Sequence, residues 1–187
     1  MNDEALTQKV VELGIRLYRG AFDEDYLLAQ WWDHLINSGD INRLLSVNAH
    51  NLSSFFQLFE LPRNMLAYTV KDGAIESAHW VEPVGTSEVA VFFSSWCCEE
   101  MRGRKQHAIL MTTIYEIIFA MGKKTIIGIT KQESLLDLHA KMGYVILDPV
   151  PNLFDLDSAW IMYLTKDNFE RSRLYAVANK IANKEYN

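Results

Sequence analysis

The run from Ser87 to Ile129 constrains this chain most. An apolar, strand-like stretch, SEVAVFFSSWCC, passes through two acidic residues into a short basic segment, MRGRK. A long helix is expected from about Lys105 to Met121. Leu110, Met111, Ile114, Tyr115, Ile117, Ile118 and Met121 make it apolar on most sides. Gly122 stops it, and Lys124 to Ile129 (KTIIGI) is a near-continuous apolar run, as in strands buried on both faces. Strand, helix, strand at this spacing predicts a right-handed parallel crossover. The chain is thereby committed to a sheet with at least one parallel pair.

The flanks extend that sheet. Met65 to Val70 and Ala74 to Glu82 read as strands joined at Asp72-Gly73, because a type I′ turn needs positive φ at both central residues. With Glu88 to Ser95 they make an antiparallel meander of three strands. Downstream, Thr130 stands three residues before Glu133, a capping box for a helix that carries Leu135, Leu138 and Met142 and ends at Gly143. Tyr144 to Leu147 is a strand, Asp148 to Ser158 a loop and Ala159 to Leu164 a last strand. Asp167 and Glu170 open a C-terminal helix with Leu174, Val177, Ala178 and Ile181 on one face. Residues 1–61 read as three or four helices with no strand. Leu6, Val10, Leu13 and Leu17 mark the first, and Tyr26, Leu27, Trp31, Leu35 and Ile36 the second. Asp40 caps a third with Ile41, Leu44, Leu45 and Val47, and Leu52, Phe55, Phe56 and Phe59 lead to Pro62. Trp31-Trp32 reads as core or interface aromatics rather than a stacking platform. The expected fold class is α/β (α+β): a mixed, mostly antiparallel sheet with a central parallel pair flanked by helices. Residues 1–62 form a helical extension, and 63–187 form the main domain with its C-terminal helix.

Composition excludes several classes. A net charge of -6 in 187 residues and a pI near 5.4 argue against a broad nucleic-acid-binding face. No apolar run approaches the ~20 residues of a membrane helix, and MNDEALTQKV is too polar for a secretory signal. The two cysteines, Cys97 and Cys98, are adjacent and cannot form a loop-closing framework, so a reducing, cytoplasmic setting is expected. His34, His50, His79, His107 and His139 show no metal-ligand spacing, and no metal is expected.

The basic segment carries chemistry. A helix N-terminus presents unpaired N–H groups and the positive end of the helix dipole, which favours phosphate. Arg102, Arg104 and Lys105 add charge there, and arginine grips phosphate in a bidentate way. The alternative is a solvated basic loop on an ordinary helix.

Two segments point further. Met101-Arg102-Gly103-Arg104-Lys105-Gln106-His107-Ala108 follows a strand and opens the long helix; Leu138-His139-Ala140-Lys141-Met142-Gly143-Tyr144 ends the next one. In this context, residues 63–169 resemble the GNAT superfamily of N-acetyltransferases. The resemblance implies transfer of acetyl from acetyl-CoA to a primary amine, on a small molecule or a protein, directly within a ternary complex. It implies a pyrophosphate held at Arg102, Gly103, Arg104, Lys105, Gln106, His107 and Ala108. The pantetheine arm would lie along the backbone of Trp96, Cys97 and Cys98, so the cysteines serve through main chain rather than as nucleophiles. His139 stands where the family commonly has a tyrosine that protonates the departing thiolate. Glu88 and His79 are candidate bases. The loop with Asp148, Asp155 and Asp157 either faces a cationic amine or is simply solvated. The resemblance also shows departures. Lys105 and His107 stand at positions the family usually gives to glycine, and the tyrosine is missing. These support an alternative: a catalytically degraded GNAT-fold binding or assembly module, whose N-terminal helices contact a second copy or another protein.

Overall fold

In the computed structural model the described residues are 3–19, 21–43, 51–60, 65–82, 86–102, 105–151 and 158–185. The chain begins with α1 (Asp3–Glu12), β1 (Arg16–Leu17), α2 (Phe22–Ser38) and α3 (Leu52–Glu60). The meander is β2 (Met65–Lys71), β3 (Ala74–Glu82) and β4 (Val89–Cys97), followed by α4 (Lys105–Ala120) and β5 (Thr125–Thr130). Then come α5 (Leu136–Lys141), β6 (Val145–Ile146), β7 (Val150–Pro151), β8 (Ser158–Thr165), α6 (Lys166–Glu170) and α7 (Arg173–Glu185). The sheet runs β1-β2-β3-β4-β5-β8-β6, with β7 paired to β8 off this path. Among the described residues, only β4 and β5 pair in parallel. The expected fold class is therefore the one that forms.

The hairpin forms at Asp72 and Gly73, with φ of 51° and 80°. Four details differ from the sequence reading. Residues 16 and 17, within the stretch read as helical, pair with β2 (Arg16↔Tyr68, Leu17↔Ala67); two residues are too few to show a period of two. Asp40 is the first residue of a 3-10 turn, Asp40–Arg43, rather than the residue before a helix; residues 44–47 lie outside the described residues. Val150–Pro151, read as loop, is a short strand. The C-terminal helix is two helices, broken where Ser172 turns its hydroxyl to the N–H of Tyr175 at 3.2 Å and so caps α7. Gly143 ends α5 with φ of 96°, and a Cβ there would stand 2.5 Å from the carbonyl oxygen of Asn168.

Strand alternation assigns the two faces. Leu66, Tyr68, Ala78, Trp80 and Trp96 face α2 and α3, where they pack with Leu28, Trp31, Trp32, Leu35, Phe55 and Phe59. The Trp31 ring lies 5.4 Å from Phe55 and 5.7 Å from Trp96, so Trp31 and Trp32 are core. On the other face, Ala67, Val81, Ala90, Phe92 and Cys97 pack with Ile15 and with Leu110, Met111, Ile114, Tyr115 and Ile118 of α4. Each fully buried large side chain contributes about 1.5–3 kcal/mol, so α4 is fixed mainly by its apolar sides.

α1 is fastened to α4 by one buried ion pair. Lys9 Nζ lies 2.6 Å from Glu116 Oε2, with the two side chains 11% and 7% exposed. Breaking such a pair from one side strands a buried charge and costs about 3–5 kcal/mol, whereas replacing both partners with apolar residues costs little. Lys9→Met should therefore destabilise by about that amount, and Lys9→Met with Glu116→Leu should recover most of it in urea unfolding. Additive losses in the double variant would contradict this role.

Candidate functional site

The parallel pairing of β4 and β5 is short. It runs from Val89↔Thr125 to Phe92↔Gly128 and stops. On its other side β4 pairs Val81↔Phe92 and then Trp80↔Ser94, which leaves Phe93 as a bulge. The extra residue reverses the alternation: Ala90 and Phe92 face α4 before it, and Ser95 and Cys97 after it. Beyond the bulge β4 continues with β3 alone, and Ile129 and Thr130 of β5 continue with β8 alone. The two strands thus part into a wedge, each with one backbone edge that has no strand partner among the described residues. At its β4 side the chain makes a 3-10 turn, Glu99–Met101, and enters α4. A crevice at the carboxyl ends of parallel strands, beside a helix N-terminus, suits an amide-bearing chain that ends in phosphate.

The sequence-read residues distribute unevenly around this wedge. Trp96, Cys97 and Cys98 close β4 beside it. The indole of Trp96 points to the α2 face and donates to Asp40 Oδ2 at 2.9 Å. Cys97 pairs with Ser77, and the Cys98 N–H donates to the Glu76 carbonyl at 2.8 Å. Burial raises the Cys97 thiol to about 11 and raises Cys98 as well, which leaves both protonated and poor nucleophiles. Arg102 folds back along the strand end: Nη2 donates to Asp40 Oδ2 at 2.7 Å, and Nε makes a long bond of 3.4 Å to the Cys97 carbonyl. Gly103 and Arg104 lie outside the described residues. Lys105, Gln106, His107 and Ala108 form the first turn of α4, and of these the described side chain is His107.

That side chain turns inward. The His107 ring stacks on His79 of β3, with centroids 5.4 Å apart and planes 27° apart. His79 is fully covered, and neither of its ring nitrogens has a hydrogen-bond partner; nor does Nδ1 of His107. His79 opposes Ser95, whose hydroxyl meets Met111 Sδ at 3.4 Å. Burial, and secondarily the charge of His107, holds the His79 pKa well below its ordinary value; burial alone lowers His107.

His139 is buried on α5. Its ring packs edge-on against Tyr144 at 5.5 Å, Nδ1 has no partner, and burial lowers its pKa to about 4. Tyr144 is core and donates its hydroxyl to Tyr115 at 3.0 Å. Glu88 is not brought to this region. It precedes β4, at the strand end opposite the wedge, where its carboxylate pairs with Lys124 and its carbonyl accepts from the Lys124 and Thr125 N–H groups. Asp148 is exposed, while Asp155 and Asp157 lie outside the described residues. Among the described residues, no group of three or more His, Cys, Asp or Glu side chains could hold a metal, and no helix is long and apolar enough to cross a membrane. A hollow of about 520 Å³ between α2 and α3 is lined by Asp25, Leu52, Ser53, Phe56 and Gln57, none of them a wedge residue. Asp40 is the site residue that sequence reasoning missed. It lies 62 positions before Arg102, and no spacing rule links the two.

Many solved structures match this chain in fold, and the three below share 10–13% of its residues. A spermidine N-acetyltransferase from Vibrio cholerae, solved with CoA and spermine, superposes with a TM-score of 0.67 at 10% identity over 83% of this chain and 98% of that one. The chain has the GNAT fold. RimJ from Mycobacterium smegmatis, solved with CoA-disulfide, superposes with a TM-score of 0.65 at 13% identity over 89% and 88% of the two chains. A CoA-dependent acyl-homoserine lactone synthase, solved with SAM and isopentyl-CoA, gives 0.60 at 11% identity over 88% and 98%. No protein-family model and no curated protein sequence matches the chain.

Two buried histidines, His79 and His139, and the half-buried His107 make the fold acid-labile. In the fold they are neutral, with pKa values below the ordinary ~6.5 of the unfolded chain. Above pH 6.5 folded and unfolded states bind the same protons at these sites. Below it the unfolded state takes up protons that the fold refuses, so stability falls as pH drops. His139 contributes over the window from 6.5 to about 4, a loss of roughly 3 kcal/mol. Urea unfolding from pH 8 to 4.5 should show stability declining below pH 6.5, with a shallower slope in His139→Phe. A flat profile across that window would contradict the burial assigned to these rings.

Proposed function

We propose that the protein is an acyl-CoA-dependent N-acetyltransferase that moves acetyl from acetyl-CoA to a primary amine. One observation carries this reading: the wedge between β4 and β5 leads along an open backbone edge to the N-terminus of a long helix. An amide-bearing pantetheine arm can complete the open edge as a strand would, and the helix N-terminus favours its phosphates. Arg102, with a partly exposed side chain, stands at that turn. Gly103 to Ala108 supply the rest of the proposed pyrophosphate contacts, and Trp96 to Cys98 the strand end.

The reaction is direct. The neutral amine nitrogen attacks the thioester carbonyl, the C–N bond forms, the C–S bond breaks, and the proton lost by the amine balances the one gained by the thiolate. We assign His139 to the sulfur. With a pKa of about 4 it is an uncharged imidazole at pH 7 and offers one N–H, so it stabilises the departing thiolate by hydrogen bonding. Glu88, at the far end of β4, has no part in this proposal. The second reading, a binding module without catalysis, is favoured by the His107 ring, which is turned inward onto His79 rather than left open at the start of α4.

Calorimetric titration separates the readings. Acetyl-CoA should bind the folded protein saturably, and Arg102→Ala with Arg104→Ala should weaken it at least about 10-fold, as expected for lost charge-assisted contacts. In a panel of primary amines, release of free CoA thiol should be catalysed and should slow about 100-fold in His139→Ala. Lack of saturable binding sinks the proposal; binding without thiol release from any amine favours the module.

A further inference from the structure

We infer that Asp40 is a positioning residue for the cofactor site: it aims Arg102 at the phosphates, which makes the N-terminal helical unit part of that site. The inference rests on the acyl-CoA reading above.

The geometry is specific to this chain. Asp40 Oδ2 takes two donors at once, Trp96 Nε1 at 2.9 Å and Arg102 Nη2 at 2.7 Å. Its side chain is 8% exposed, whereas that of Arg102 is 41% exposed. Arg102 is therefore anchored at its buried side and open at its outer side. Nη2 is on Asp40, Nε is turned to the Cys97 carbonyl, and Nη1 has no partner among the described residues. A guanidinium carries five N–H donors in a fixed plane, so fixing two of them sets the direction of the rest. An unanchored arginine would lose its rotamer freedom on gripping a phosphate. Asp40 has already removed most of that freedom, which favours binding.

Asp40 is itself held in place. α2 ends at Gly39, whose φ of 73° turns the chain sharply and whose N–H caps the Ile36 carbonyl. The 3-10 turn then carries the carboxylate under the end of β4. The anchor for α2 is the aromatic cluster in which Trp31 and His34 pack on Trp96 at 5.7 and 5.5 Å. The same indole therefore ties Asp40 by its N–H and α2 by its ring. A purely structural strut would need neither the exposed edge of Arg102 nor its place at the turn into α4.

The test is acetyl-CoA affinity measured by calorimetry in wild type, Asp40→Asn, Arg102→Ala and the double variant, with thermal unfolding to confirm folding. Asparagine keeps an acceptor for Trp96 and removes the charge that orients Arg102. Asp40→Asn should weaken acetyl-CoA about 10-fold, and the double variant should bind no worse than Arg102→Ala alone. Asp40→Glu, which keeps the charge but displaces it, should weaken binding several-fold and serves if Asp40→Asn does not fold. Affinity that is unchanged or tighter in the Asp40 variants overturns this inference alone. So does a loss of equal size in the Arg102→Ala background, since it would not act through Arg102. Failure of folded wild type to bind acetyl-CoA overturns the functional reading, and this one with it.

Discussion

Two strands that begin side by side and then separate define this molecule. β4 and β5 share four residue pairs, and an extra residue at Phe93 then turns β4 away. Backbone groups cost free energy when they are left without hydrogen-bond partners, so the open edges of a sheet parted in its middle can accept another chain of amides. The rest of the fold keeps that wedge open. β3 holds one strand from its far side and β8 the other, while α4, apolar on most sides, fixes the turn where β4 ends.

The N-terminal residues take part in this arrangement. α1 reaches the core face through Lys9 and Glu116, β1 extends the sheet, and α2 and α3 cover the opposite face. Both core clusters draw on residues from before and after Pro62. Through Asp40 the same unit reaches the turn at Arg102. Three histidines show the opposite tendency: both ring nitrogens of His79, and Nδ1 of His107 and of His139, are buried with no partner among the described residues. In His79 this strands the one N–H that a neutral imidazole carries, which costs roughly 1–3 kcal/mol. These rings stand on β3, at the first turn of α4 and on α5.

Much of the fold was legible in the sequence because its signals are local. The Asp72-Gly73 turn, the apolar breadth of α4 and the run KTIIGI each report their own backbone. LHAKMGY reports a helix end, and its glycine meets the need for positive φ beside the Asn168 carbonyl. The contacts of the candidate site residues were not legible. Trp96 and Cys97 end β4 beside the wedge, yet Arg102 is engaged by a residue 62 positions away. The bulge at Phe93 leaves an apolar stretch looking regular, although it changes which side chains face α4. Glu88 was a candidate by strand membership alone, and the strand carries it to the wrong end. His107 shows why a residue type at a motif position does not fix a role: its ring is spent on His79.

The central claim is that the wedge between β4 and β5 is an acyl-CoA groove, and amide hydrogen exchange with and without CoA tests it most directly. The account predicts slowed exchange in Phe93 to Cys98 of β4 and in the first turn of α4, with α3 and the outer strands β6 and β7 unaffected. CoA-dependent protection confined to other elements, or none at saturating CoA, would contradict it.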